Sequence, residues 1–323
     1  MNNSIPTTRR GFLTAAGALT AVGLGARAVQ RADESHQRAD VFIAHVDSYQ
    51  DPIERSIREG LVELGFGPVW ARGKTVLLKP NLVEPTRDAP HVNTHPLVVR
   101  AAAEVFRSWG ARRVVVAEGP GHCRDIDYVL DESQFAPMLA SERLDFVDLN
   151  FDEYDWMKNK LNRTTLGALA LPASILNADL IVSMPKMKTH HWVGVTLSMK
   201  NLFGVLPGCC YGWPKNVLHH AGITESILDL NATVRPHLAI IDGIVGMEGD
   251  GPIMGTPKHA GVLVMGANLP AVDATAARLM GVDPWTIAHL AGSSGKLGPI
   301  AESHIRQRGE LINPQPFRTL TAM

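Results

Sequence analysis

Residues 179–208 read D-L-I-V-S-M-P-K-M-K-T-H-H-W-V-G-V-T-L-S-M-K-N-L-F-G-V-L-P-G, and the reading of this stretch decides the fold. The apolar run 180–182 has the length of a buried strand, and Pro185 stops regular pairing just beyond it. Lys186, Lys188 and His190 follow at alternate positions. If the backbone stays extended past the proline, a period of two puts these side chains on one side, a cationic comb at the carboxyl end of a strand. That end is where open α/β sheets bind ligands. Over 195–206 two patterns compete. Thr196, Ser198 and Lys200 alternate with Val195, Leu197 and Met199 as in a half-buried strand, whereas Val195, Met199, Leu202, Phe203 and Leu206 share one face of a helix. Under either pattern Lys200 and Asn201 fall on the polar side or its edge, beside Gly204 and Gly208, which admit a ligand or another backbone. Solvated surface is the plain alternative for any one of these lysines. Several basic groups threaded through an apolar segment argue for a use instead, because a chain that buries their neighbours must accommodate the charge.

Outward from this stretch, strand and helix patterns alternate. Residues 41–46 read as a strand, and 51–64 as an amphipathic helix with Ile53, Ile57, Leu61 and Leu64 on one face. A strand at 74–78 runs into Lys79-Pro80-Asn81, again a lysine and an amide at a strand's carboxyl end. Thr94 and Pro96 suit the N-cap and first turn of a helix over 97–109, which places His95 near its N–H groups. A strand at 113–117 leads to Glu118-Gly119-Pro120-Gly121-His122, a Gly-rich loop without dinucleotide spacing. Residues 128–140 are weakly helical, 146–149 form a short strand, and 151–161 carry little signal. The loop 211–215 has the composition of a lid, His219-His220 opens a helix reaching about residue 235, and 238–241 is a strand. After it comes a glycine-rich loop with Asp242, Glu248 and Asp250, suited either to a divalent cation or to capping its own turns. Strand 262–265 and helix 274–280 follow, with Asp273 among alanines as a buried functional carboxylate or an internal hydrogen-bond partner. The tail from about residue 296 reads as peripheral. This order argues an α/β fold, a mostly parallel sheet with helices on both faces, in one domain or two lobes.

The strings P-K-M-K-T-H at 185–190 and T-L-S-M-K-N-L-F-G at 196–204 resemble the signature of the domain-of-unknown-function 362 family. Members share a Lys-Pro-Asn segment upstream and an Asp-Gly-Ile segment downstream, here Lys79-Pro80-Asn81 and Asp242-Gly243-Ile244 in the same order. The resemblance spans about residues 41–295 and implies a family without implying a reaction. Some relatives add cysteine-rich, ferredoxin-like segments. This chain has no cysteine after Cys210, which speaks against an iron–sulfur cluster.

Thr8-Arg9-Arg10-Gly11-Phe12-Leu13, the small apolar run 15–25 and Ala26-Arg27-Ala28 form a twin-arginine (Tat) signal pattern with a cleavage site after Ala28. A membrane anchor is the alternative, but the run falls short of the roughly 20 residues that span a bilayer. Residues 29–40 then form a polar leader and 41–323 the α/β domain, in a periplasmic location reached through the Tat machinery with no membrane contact after cleavage. Cleavage removes three basic residues, so the net charge goes from −1 to −1 − 3 = −4. A mildly acidic chain argues against nucleic acid. Cys123, Cys209 and Cys210 are odd in number, and their spacing matches no usual zinc pattern.

The candidate site residues are therefore Lys186, Lys188, His190 and Lys200 for catalysis, and Lys79, Asn81, His95, Asn201 and His220 for binding substrate. Asp242, Glu248, Asp273 and Glu118 are the candidate ligands of a divalent metal. The set suits a small anionic molecule, carboxylated or phosphorylated. An enzyme is the first expectation, and a non-catalytic periplasmic ligand- or cofactor-binding protein the second. An iron–sulfur-linked redox protein is a third reading, disfavoured by the cysteines.

Overall fold

Val76, Leu78, Val114, Val116, Leu180 and Val182 point to one side of a central sheet, and Leu77, Val115, Ala117 and Ile181 to the other. This is the period of two that strands buried on both faces require. The computed structural model describes residues 37–319, so the Tat pattern and most of the polar leader lie outside the described residues.

The strands are β1 (Ala39–His45), β2 (Thr75–Pro80), β3 (Arg113–Glu118), β4 (Asp145–Asp148), β5 (Tyr154–Lys158) and β6 (Ala168–Pro172). β7 (Leu180–Met184), β8 (Lys186–His190), β9 (Gly194–Thr196), β10 (Leu238–Glu248), β11 (Thr256–Gly266) and β12 (Ile305–Gly309) follow. A ten-stranded sheet runs β12-β1-β11-β10-β7-β2-β3-β4, with β8 and β9 attached beside β10. β10, β7, β2, β3 and β4 pair in parallel, whereas β11 is antiparallel to both β1 and β10. The sheet is thus mixed but mostly parallel, as the alternation of patterns implies.

Helices α1 (Ile53–Glu63), α2 (Pro96–Ser108), α3 (Ile126–Glu132) and α4 (Phe135–Glu142) pack on the first face. α5 (Ser198–Asn201), α6 (Asn216–His220), α7 (Ile223–Val234), α8 (Leu269–Leu279) and α9 (Ala288–Ser293) pack on the second. No helix among the described residues is long and apolar enough to cross a membrane.

Several local expectations are corrected. The two patterns over 195–206 both occur, in succession: β9 ends at Thr196 and α5 begins at Ser198. The N-cap of α2 is His95, whose ring accepts the Leu97 N–H, not Thr94, whose hydroxyl instead bridges the Asn81 N–H and the Met184 carbonyl. The helix expected from His219 to about residue 235 is broken between α6 and α7 at Gly222, where φ is 105°. Residues 151–161, of little signal, contribute β5 to a separate antiparallel hairpin with β6. The glycine-rich "loop" after residue 241 is largely strand, because β10 continues to Glu248 against β11. The tail is not peripheral: β12 pairs in parallel with β1, and Phe317 is buried in the core.

Candidate functional site

β2 and β3 lie side by side in parallel, so Lys79 near the end of one meets Glu118 at the end of the other. The Lys79 ammonium donates to both Glu118 oxygens at 2.7 and 2.6 Å, to the Pro80 carbonyl at 2.9 Å and to Asn201 Oδ1 at 3.2 Å. Glu118 also accepts the Leu82 and Gly119 N–H groups, and Asn201 Nδ2 donates to the Lys79 carbonyl and Ser183 Oγ. Burial pulls the Lys79 ammonium below its usual range while Glu118 opposes the fall. A Cβ on Gly204 would overlap both charged groups, so glycine at this position lets α5's following turn lie against the ion pair. Lys79 and Asn201 come together as expected, although the partners of Lys79 leave it few hydrogens for a ligand.

β8 does continue extended beyond Pro185, and Lys186, Lys188 and His190 are buried. Their environments differ. Lys186 donates to Asp242 at 2.6 Å, to the Tyr49 hydroxyl at 2.9 Å and to the Val245 carbonyl at 3.2 Å. Asp242 further accepts the His95 N–H at 2.9 Å and the Tyr49 hydroxyl at 3.1 Å. The His95 ring stacks on Tyr49 at 3.7 Å, and burial holds its imidazole down to about 4. Lys186, Asp242, Tyr49 and His95 form a closed knot that does not line the cleft described next.

Lys188 and His190 line a cleft of about 320 Å³ together with Lys79, Asn81, Glu118, Lys200, Asn201, Lys215 and His219. Lys188 donates to two backbone carbonyls, Val92 at 2.9 Å and Pro252 at 3.2 Å, and bonds no carboxylate. Burial, reinforced by Lys186 and Lys200, pushes it well below the ordinary lysine range. Lys200 sits 3.9 Å over the Phe203 ring, and burial with the Lys79 charge brings it down to about 7. Lys215 donates to Asn150 Oδ1 and the Leu206 carbonyl, and burial lowers it to about 8. His190 accepts the Trp192 N–H at Nδ1, which leaves the ring proton on Nε2. Burial among Lys200, His191 and Lys188 lowers this imidazole to about 2, which makes it a neutral hydrogen-bond donor. Asn81 Oδ1 and Thr196 Oγ1, both from residues lining the cleft, are buried without a hydrogen-bond partner.

The four candidate metal ligands are not brought together. Glu118 holds Lys79 and Asp242 holds Lys186. Glu248 is bound by the Arg318 backbone and guanidinium at 3.0 and 2.7 Å. Asp273 accepts the Ser198 and Met199 N–H groups at the start of α5, and burial raises its carboxyl to about 7. Of the two readings of Asp273, the internal hydrogen-bond partner is the one observed. Among the described residues no three His, Cys, Asp or Glu side chains are placed to hold a metal. His220 is exposed and outside the cleft, whereas its neighbour His219 lines it. Lys215, in the stretch read as a lid, and Thr196 are lining residues the sequence reading missed. A lone lysine in a Gly- and Pro-containing loop carries no pattern that distinguishes it from solvated surface. The three cysteines are free, Cys123 and Cys209 exposed and Cys210 half-buried.

Residues 76–278 match the family described as Domain of unknown function (DUF362). A thylakoid-associated protein of Synechocystis sp. is 29% identical over 234 residues, covering 70% of this chain and 69% of its own. Among solved structures, the lactate racemase apoprotein of Thermoanaerobacterium thermosaccharolyticum aligns with a TM-score of 0.42 at 17% identity, over 75% of this chain and 58% of its own. A Thermotoga maritima protein aligns with a TM-score of 0.40 at 10% identity, over 74% of this chain and 61% of its own. This chain therefore spans less than two thirds of either solved structure.

Proposed function

This chain belongs to the Domain of unknown function (DUF362) family, and we propose that it is an enzyme that holds a small anionic substrate in the lysine-lined cleft and removes a proton from it with Lys188. The observation that carries this reading is the hydrogen bonding of Lys188. A neutral amine has two N–H groups, and those to Val92 and Pro252 account for both, which leaves the lone pair without a protein partner on a residue that lines the cleft. Desolvation and cationic neighbours are the established way to obtain a lysine base or nucleophile near neutral pH. Lys200 and Lys215 supply positive charge without a bonded carboxylate, and the unpartnered Asn81 and Thr196 atoms supply directional contacts. A bound anion would add a second negative charge to that of Glu118 near Lys188, so substrate binding would favour the protonated amine formed in the reaction. Lys79–Glu118 and Lys186–Asp242 then act as the frame that holds the cleft.

The test is hydrogen exchange in D2O, followed by proton NMR as loss of the C–H signal adjacent to the acid group in a panel of short carboxylic and phosphorylated acids. Wild-type protein is expected to exchange at least one. Lys188→Met should slow that exchange by about 10²-fold or more, the usual contribution of a positioned base, while calorimetric affinity changes little. Anion binding without exchange, with Lys188→Met losing affinity alone, would instead support a non-catalytic ligand-binding protein.

The twin-arginine pattern adds export to the periplasm to this proposal. The full chain with Arg9→Lys and Arg10→Lys is expected to remain in the cytoplasmic fraction of a Tat-competent bacterium while the unaltered chain leaves it. Equal distribution of the two forms would remove the export step.

A further inference from the structure

The cleft is larger and more apolar at its mouth than a bare anion requires. A phosphate or carboxylate group fills the space of only a few waters, each about 30 Å³, whereas the cleft measures about 320 Å³. Trp192 lines it while 63% exposed, and Met254 while 77% exposed. Large apolar groups left in water around a pocket mark a binding surface. They are also connected to the charged floor. The Trp192 ring meets His219 edge-to-face at 5.2 Å, His219 meets Phe203 at 5.8 Å, and Phe203 lies under the Lys200 ammonium at 3.9 Å. Met254 lies two residues beyond Pro252, whose carbonyl holds Lys188. The rings thus form a continuous wall from the open rim down to Lys200.

We infer that the substrate is an amphiphilic anion, a carboxylate or phosphate head carried on a flat or extended apolar body, with the head at Lys200 and the body along Trp192, His219 and Phe203. This inference rests on the anion-binding reading above and adds the substrate class to it. The charge order supports the orientation. The ammonium groups of Lys200 and Lys215 attract the head, and burial lowers the His190 imidazole to about 2 and that of His219 below its usual value, which favours the uncharged form of the ring in the wall. An uncharged aromatic surface suits an apolar body.

Matched probe pairs that differ only in the body test it, read by isothermal titration calorimetry at pH 6.5: methyl phosphate against phenyl phosphate, and acetate against phenylacetate. In at least one pair the phenyl compound is expected to bind tenfold or more tightly than its methyl counterpart. Trp192→Ala should reduce that ratio to about threefold or less. Equal affinity within both pairs would overturn the amphiphile inference and leave the anion cleft standing. A phenyl preference that survives in Trp192→Ala would overturn the assignment of the body to this wall. Failure of all four compounds to bind would overturn the anion-binding reading itself.

Discussion

In a Lys186→Met variant the unfolding free energy is expected to fall by about 3–5 kcal/mol, the usual cost of removing one partner from a buried ion pair. Lys186 and Asp242 are both fully buried. The substitution leaves the Asp242 carboxylate with the Tyr49 hydroxyl and the His95 N–H but no cation. Against a typical total of 5–15 kcal/mol, that is a large fraction of the reserve. A urea transition measures it. The double variant Lys186→Met/Asp242→Leu is expected to recover a substantial part, because the stranded charge leaves with its partner. Lys188→Met should cost clearly less than Lys186→Met: it breaks bonds to two carbonyls but strands no charge. If the two single variants were equally destabilised, the division between a structural lysine and a working one, two residues apart on β8, would fail.

The affinity of the cleft for sulfate, a dianion throughout the range, is expected to fall at least tenfold between pH 6 and pH 9. Lys200 at about 7 and Lys215 at about 8 are both charged at pH 6 and largely uncharged at pH 9. An anion favours their charged forms and raises both values on binding, so binding above neutrality takes up protons. The affinity must then decline with pH, by at most one logarithmic unit per pH unit for each lysine. Calorimetry in buffers of different ionisation enthalpy reads the affinity and the proton uptake together. Lys200→Met should flatten the profile between pH 7 and pH 8. An affinity that is constant or rises over this range would show that neither ammonium holds the anion.

Much of this was legible in the chain itself, because a strand's alternation is a local property. The extended run 186–190, the lysine at the end of β2 and the acid at the end of β3 follow from positions a few residues apart. What alternation cannot say is what a distant strand carries to the same place. Lys79 finds Glu118, Lys186 finds Asp242 and Glu248 finds Arg318 across 39, 56 and 70 residues, so acids that look like one metal site in sequence are each used up separately. The same limit explains β10. Glycines at 243, 246 and 249 imitate a loop, yet Gly243 and Gly246 sit where an added Cβ would strike Met187, a neighbour that only the fold reveals. His190 shows a further limit, since its spacing is as expected while its charge state depends on burial by elements far along the chain.

The pairing of β1 bears on how the protein can be made. Its neighbours on either side, β11 and β12, come from residues 256–266 and 305–309. While the ribosome is still translating the middle of the chain, this first strand has neither neighbour, and its hydrogen-bonding edges face water or other nascent chains. Closure of the sheet therefore waits until residues 305–309 have been made, a long-range ordering that slows folding and gives chaperones a defined segment to guard.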